Sequence, residues 1–180
     1  MDSVPDASGI GTFRRGVEAD AATLAAFAAR TFQETFAHST SSANMDAHLA
    51  AAYGVEQQGR ELRDPGSATL LLEHEGVLVA FAQVRRKAPP IEVPYPRVIE
   101  LQRFYVDVPW HGRGVAQRLM AAAKGAAREL GGEWLWLSVW EGNARAIAFY
   151  AKAGYVDAGG TEFWLGPDRQ FDRVMVAPLG

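Results

Sequence analysis

The sequence predicts an α/β fold, a mixed and largely antiparallel sheet with helices on both faces, and three stretches predict it. Residues 19–36 repeat apolar side chains at helical spacing, two further helices follow to Arg63, and Ala68 to Val84 reads as a β-hairpin. Residues 97–153 then alternate strand, helix, strand, helix, which implies a parallel pair of strands joined by a right-handed crossover.

Taken in order, Thr12 to Arg15 is a short first strand. From Ala19 to Phe36 the residues Leu24, Phe27, Ala28, Phe32 and Phe36 form one stripe, with Asp20 as the start signal. The polar stretch HSTSSANMDAHLAAAYG leads, from a cap at Ser41 or Ser42, into a second helix ending near Gly54. A third, Val55 to Arg63, stops at Asp64-Pro65-Gly66. Two β-rich runs flank a hairpin turn at Glu75-Gly76, which leaves Glu73 and Glu75 in solvent. Ala88 to Pro96, APPIEVPYP, carries too much proline for an interior strand and reads as a solvated connection rather than a proline motif for a partner. Arg97 to Val108 is a strand, Gly114 to Leu130 a helix closed by Gly131-Gly132, Glu133 to Trp140 a strand, and Asn143 to Ala153 a helix. Short antiparallel runs finish the chain, Tyr155 to Ala158 and Phe171 to Val176, with a third at Thr161 to Leu165. No repeat or linker divides it, so residues 12–180 are expected to form one domain behind a flexible N-terminus of residues 1–11.

Composition excludes several functions. At 180 residues, 48% hydrophobic and 22% charged, the chain suits one ordinary globular core. A net charge of −3 with scattered Lys and Arg offers no field for nucleic acid. The absence of cysteine removes disulfides and thiolate nucleophiles, and His38, His48, His74 and His111 lack ligand spacing, so no metal is expected. MDSVPDASGIG does not read as a signal peptide, and no run approaches the roughly 20 apolar residues of a membrane helix. The expectation is a cytoplasmic protein without a membrane partner; if it associates, a homodimer is the default.

The stretch VDVPWHGRGVAQRLM, Val106 to Met120, carries the chemistry. It lacks the Gly-Lys of a Walker loop, and Gln117 stands where a dinucleotide fingerprint needs a third small residue. What remains is Gly112, Gly114 and Ala116, small residues that let a backbone approach a ligand at the positive end of a helix. Arg113 and Arg118 are placed to add charge-assisted bonds to an anion. The helix buries Val115, Leu119, Met120, Ala123, Ala126 and Leu130 along one stripe. A plain strand-to-helix turn satisfies the same residues. On the later helix Asn143 and Tyr150 are seven residues apart and share a stripe, about 10.5 Å apart along the axis. The bland alternative has Asn143 only capping and Tyr150 only packing, with Ala144, Ile147, Ala148 and Ala151 as the core face.

Together, ELQRFYVDVPWHGRGVAQRLM and WLWLSVWEGNARAIAFYAKAGYVDAG resemble the GNAT superfamily of N-acetyltransferases, which use acetyl-coenzyme A. The family loop Gln/Arg-x-x-Gly-x-Gly/Ala reads His111-Gly112-Arg113-Gly114-Val115-Ala116, with His111 the departure. The second element, Asn-x-x-Ala-x-x-x-Tyr-x-x-x-Gly-Phe/Tyr, is complete in Asn143, Ala146, Tyr150, Gly154 and Tyr155. FQETFAHS, LWLSVWEGNARAIAFYAKAGY and DRVMVAPL look most like the bacterial spermidine/spermine (polyamine) branch. The resemblance implies a sheet splayed between the strand before the loop and the strand before Asn143. It also implies acetyl-CoA as co-substrate, held by His111, Gly112, Arg113, Gly114, Val115, Ala116, Gln117 and Asn143, and a small amine as acceptor.

An alkylamine has a pKa near 10.4, so only about one in a thousand is an uncharged nucleophile at neutral pH. Glu100 lies on the strand where some GNAT enzymes carry a glutamate base acting through water, which makes it the candidate base. Alternation along that strand places Glu100, Gln102, Phe104 and Val106 on one face, so that Glu100 and Gln102 both face an acceptor, and Leu101, Arg103 and Tyr105 on the other. A salt-bridged structural carboxylate is the competing reading of Glu100. The resemblance assigns the oxyanion donor to a backbone N–H among Phe104, Tyr105 and Val106, and the acid for the leaving thiolate to Tyr150. Trp134, Trp136 and Trp140 alternate as core or interface residues, though Trp140 and Trp110, near strand ends, are placed to stack on a cationic amine. Two other readings stay open: a non-catalytic acyl-CoA sensor of the same fold, and acetylation of protein N-termini or lysines.

Overall fold

The computed structural model describes residues 11, 13–36 and 42–180, and its elements follow the expected order. β1 (Phe13–Arg15) precedes a 3₁₀ turn, then α1 (Ala21–Phe36), α2 (Ser42–Tyr53) and α3 (Val55–Arg63). The hairpin is β2 (Ser67–His74) and β3 (Val77–Arg85). Then come β4 (Val98–Val106), α4 (Val115–Glu129), β5 (Trp134–Trp140), α5 (Ala144–Lys152), β6 (Val156–Leu165) and β7 (Asp168–Pro178). The expectations for residues 1–10, for Thr12, and for residues 37–41 with His38 and the Ser41 cap lie outside the described residues.

Local chemistry accounts for the joints. Asp20 accepts the Val17 amide at 2.8 Å and so closes the 3₁₀ turn Glu18–Asp20 that runs directly into α1, and Arg14 grips the same carboxylate. Glu75 and Gly76 both take positive φ, 50° and 77°, the conformation a two-residue hairpin turn needs to match strand twist. Glu73 is not simply solvated, since Arg14 Nη2 lies 2.5 Å from its carboxylate.

The seven strands form one sheet in the order β1-β2-β3-β4-β5-β7-β6, antiparallel throughout except for β4 beside β5. At its end, the runs expected as separate strands at 155–158 and 161–165 are one strand, β6, with a register shift between Asp157 and Gly159. Gly159 and Gly160 hid this, because they supply no side-chain alternation while permitting the bulge.

Each face of the sheet is covered. On one, Leu72, Ala82, Leu101 and Leu135 pack with Val115, Leu119 and Ala123 of α4. On the other, Leu71 and Phe81 pack with Leu24, Phe27 and Phe32 of α1. A third cluster corrects the reading of APPIEVPYP as a solvated connection: Ile91, Val93 and Tyr95 cover Trp136, Val174 and Val176. Trp136 Nε1 donates to the Lys87 carbonyl at 2.8 Å, and Tyr95 stacks on Trp134 at 4.1 Å. The segment is not a strand, but its apolar residues bury part of the sheet that no helix reaches.

Two irregularities of β4 position the site. Its parallel pairing with β5 spans only Val98, Ile99 and Glu100 against Trp134, Leu135 and Trp136, although β4 runs on to Val106 and β5 to Trp140. Beyond Glu100 the two strands part. Against β3, Gln83 faces Arg103 while Val84 faces Leu101, so Gln102 is an extra residue, a bulge. This overturns the strict alternation. Glu100 shares a face with Arg103 and Tyr105, while Leu101, Phe104 and Val106 share the opposite one, against α4. Among the described residues no helix is long and apolar enough to cross a membrane.

Candidate active site

Where β5 leaves β4, backbone groups of β4 lose their partners. The Asp107 amide donates to the Val79 carbonyl at 2.9 Å, so that residue faces β3. By the two-residue period Tyr105 and Arg103 face β3 as well, and the N–H groups of Phe104 and Val106 point into the gap. Of the three expected donors, Tyr105 is thus drawn away. Its ring lies on the α1 side, its hydroxyl 3.4 Å from that of Tyr53, and burial pushes its pKa well up.

The glycine loop closes one end of the gap. Asp107 caps the short turn Val108–Trp110 by accepting the Val108 amide at 3.1 Å. The His111 ring then turns back, Nε2 donating to the Val106 carbonyl at 2.7 Å. That bond explains the residue that departs from the loop pattern: it satisfies the carbonyl that β5 left open and ties the loop to β4. Gly112 and Gly114 take positive φ, 73° and 76°, and a Cβ built on either would meet nothing within 4 Å. Gly114 caps α4, whose first helical hydrogen bond runs from the Arg118 amide to the Gly114 carbonyl, leaving the N–H groups of Val115, Ala116 and Gln117 free at the positive end. A hollow of about 240 Å³ lies against this end, lined by His111, Gly112, Gly114, Ala116, Gln117 and, from α5, Arg145.

Arg145 is a cation the sequence reading missed, although its place in the first turn after the Asn143 cap was a usable signal. Arg113 instead lays its guanidinium over Trp110, 5.5 Å from the ring centre, and Arg118 lies 5.7 Å from the Phe13 ring. Trp110 therefore already holds a cation of the protein, and only Trp140 of the two tryptophans considered for an amine lines the cleft.

From the far side, α5 supplies Asn143 and Tyr150. Asn143 Oδ1 accepts the Ala146 amide at 3.1 Å, the expected cap. The face of α5 turned to the core is Ala146, Ile147, Phe149, Tyr150 and Ala153, while Ala144, Ala148 and Ala151 are exposed, which corrects the core face assumed for it. The Tyr150 ring packs edge-on to Phe104, Phe149 and Tyr155. Burial alone raises its pKa above the usual phenol value, so the hydroxyl keeps its proton.

These parts belong to one cleft of about 900 Å³ that passes through the sheet at the splay. Val106, His111, Ala116, Asn143 and Tyr150 line it on the α4 side; Phe32, Tyr53, Glu100, Arg103 and Asp172 line it on the α1 side. Glu100 is 8% exposed, its carboxylate held by Arg85 with Lys87 Nζ at 3.9 Å. Glu100 is thus an ion-pair partner that also lines the cleft. Arg103 and Asp172, neither of them expected, are the other buried charges of that wall. Among the described residues no cluster of His, Cys, Asp and Glu could hold a metal ion.

A sheet opened between parallel strands, with unpaired helix amides on one side and a second chamber on the other, has the shape to hold a phosphate-bearing ligand against a second molecule across the sheet. The chain belongs to the GNAT acetyltransferase family, whose model matches residues 26–155. It is 35% identical over 164 residues to an uncharacterized N-acetyltransferase of Mycobacterium tuberculosis, covering 89% of this chain and 98% of that one. It is 30% identical over 162 residues to an uncharacterized N-acetyltransferase of Lactobacillus delbrueckii subsp. lactis, covering 90% and 94%. The fold is also that of the PaiA N-acetyltransferase of Thermoplasma acidophilum, solved in complex with coenzyme A: TM-score 0.76, 19% identity, 93% and 98% of the two chains. The open cradle at Gly112 and Gly114, with unpaired amides beside it, fits the pyrophosphate of acetyl-CoA as co-substrate.

Proposed function

We propose that this protein transfers the acetyl group of acetyl-CoA to a primary amine, a small amine or polyamine, in a cytoplasmic setting. The observation that carries the reading is the through-sheet cleft, which joins the cradle at α4 to a chamber under α1 whose wall holds Glu100, Arg103 and Asp172. Bound acetyl-CoA supplies an activated acetyl group as a thioester, which an amine nitrogen takes directly in a ternary complex without a covalent enzyme intermediate.

The chain's own residues then divide the work. The amides of Val115, Ala116 and Gln117 hold the pyrophosphate, with Arg145 adding charge. The Phe104 and Val106 amides, left open by β5, offer donors to the negative charge that develops on the carbonyl oxygen. Tyr150 keeps a proton available to the sulfur, and Glu100, through water, accepts the proton that the acceptor must lose. Asn143 fixes the start of α5 and so the aim of Tyr150.

The reading is tested by thiol release with acetyl-CoA and acceptor both varied. Intersecting reciprocal plots with polyamines are expected; parallel plots, or turnover only with peptides, overturn the direct transfer or the acceptor class. A second expected result concerns the cradle. At φ 76° a β-branched residue is strained by about 1–3 kcal/mol, and its Cβ would occupy the open space a ligand needs. Gly114→Val should leave a folded protein whose calorimetric Kd for acetyl-CoA is raised at least about tenfold. An unchanged Kd would remove the cradle from the account.

A further inference from the structure

Among the described residues, one buried carboxylate in the cleft has no partner. Asp172 of β7 is 8% exposed and lines the chamber on the α1 side, and its Oδ1 makes no hydrogen bond. Its cross-strand neighbours, Trp140 on β5 and Thr161 on β6, line the same chamber and are uncharged. The charge that acts on it is that of Glu141, of the same sign. Glu162 of β6 and Arg145 of α5 also line the cleft; Glu162 is paired with Arg169. Arg173, next in the chain, is paired with Asp157. A buried carboxylate costs stability unless something positive meets it, and among the described residues no cation is paired with it.

The position of Asp172 decides which positive group that is. Register places Glu100 opposite Trp136 and Asp172 opposite Trp140, so four residues of β5, about 13 Å, separate their levels along the strand. One nitrogen cannot serve both. The reacting amine must also shed its proton, so a nitrogen held as a cation is not the nucleophile.

We propose that Asp172 anchors a second, non-reacting ammonium group of the acceptor, so that the cleft selects polyamines over monoamines. The inference rests on the amine-acetyltransferase reading above, and Trp140 supplies an aromatic wall beside the anchored charge. Burial, then the Glu141 charge, pushes the Asp172 carboxyl up to about 6, so the anchor is charged above that pH and is lost as pH falls through it.

The test compares wild type with Asp172→Asn on spermidine and on butylamine. Loss of a charge-assisted contact should raise KM for spermidine at least about tenfold, with kcat held within about twofold and KM for butylamine and acetyl-CoA unmoved. KM for spermidine should rise below pH 6 in wild type and stay flat in the variant. Since no group among the described residues bonds Oδ1, the variant should melt no lower than wild type at neutral pH. An unchanged KM for spermidine, or a fall in kcat at constant KM, which would make Asp172 the base, overturns the proposal; so does a lower melting temperature. If wild type proves unable to release thiol with any amine, that failure belongs to the enzymatic reading. Calorimetric titration of the coenzyme A-loaded protein with spermidine then decides the anchor alone: weaker binding in the variant supports it, and no binding by wild type or equal binding by both overturns it.

Discussion

Tyr150→Phe is expected to lower kcat by about 10²–10⁴-fold while leaving KM for acetyl-CoA nearly unchanged. The ring's contacts with Phe104, Phe149 and Tyr155 survive the change, so the fold and the cleft wall should survive with it. What is lost is one protonated hydroxyl. A thiol has a pKa of about 8.5, and burial holds the Tyr150 phenol well above its usual value of about 10. Full proton transfer to the thiolate is therefore uphill, and the hydroxyl acts first as a hydrogen-bond donor to the growing charge. The same raised pKa has a kinetic signature: no loss of activity near pH 10 should come from this tyrosine. A kcat within about twofold of wild type would return Tyr150 to a packing role, since removal of a true acid costs far more.

Arg103→Met should be the most destabilising of the changes considered, by about 3–5 kcal/mol, because it strands a buried charge. Arg103 is 7% exposed, ion-paired with Glu61 of α3, bonded to Gln83 of β3 and to the Ala52 carbonyl of α2 at 3.0 Å, and its guanidinium lies 4.8 Å from the Tyr53 ring centre. One side chain thus ties three elements into the acceptor wall. Removing both charges, as Glu61→Leu with Arg103→Met, should recover a large part of the loss, because neither charge is then left unpaired. Chemical denaturation of the single and double variants measures the difference. If the single change costs under about 1 kcal/mol, the pair behaves as a solvated surface contact and the account of the wall fails.

This pair and Asp172 pull stability in opposite directions with pH. For Glu61, burial alone would raise the pKa, but the Arg103 bond and charge, helped by Gln57 and Gln102, outweigh it and hold the carboxyl below its usual value. Its contribution is present above the unfolded-state pKa near 4.5 and is lost as pH falls through the folded value. Asp172, raised to about 6 from 3.8, does the reverse: folded protein holds the proton more tightly, so its unfavourable contribution grows as pH rises from about 4 to 6. The stability optimum shifts toward mild acid to the extent that Asp172 dominates.

The element order was legible because periodicity and turn residues report on local structure: the α3 boundaries, the Glu75-Gly76 turn and the Asn143 cap were all read from residues within a few positions. The turn before α4 was legible for the same reason, since Gly112 and Gly114 mark backbone that only glycine adopts easily. What hid was non-local. Gln102 bulges because β3 and β4 go out of register, and one extra residue reverses every face assignment before it, which is why Glu100 was placed on the face of Phe104. The adjacent polar residues Gln102 and Arg103 inside an apolar strand were the available signal. Asp172 was invisible because the absence of a partner is a property of three strands together. The Pro-rich segment misled because proline content excludes a strand but says nothing of where Ile91, Val93 and Tyr95 pack.

In the function proposed above, the cleft passes an acetyl group through the sheet from acetyl-CoA to an amine. That transfer is tested most directly by incubating wild-type protein with acetyl-CoA and spermidine and following both free thiol and acceptor mass. Stoichiometric appearance of coenzyme A thiol and a singly acetylated amine is expected. Tight binding of acetyl-CoA with the thioester left intact, across polyamines, monoamines and peptides alike, would contradict it and leave a non-catalytic sensor of the same fold.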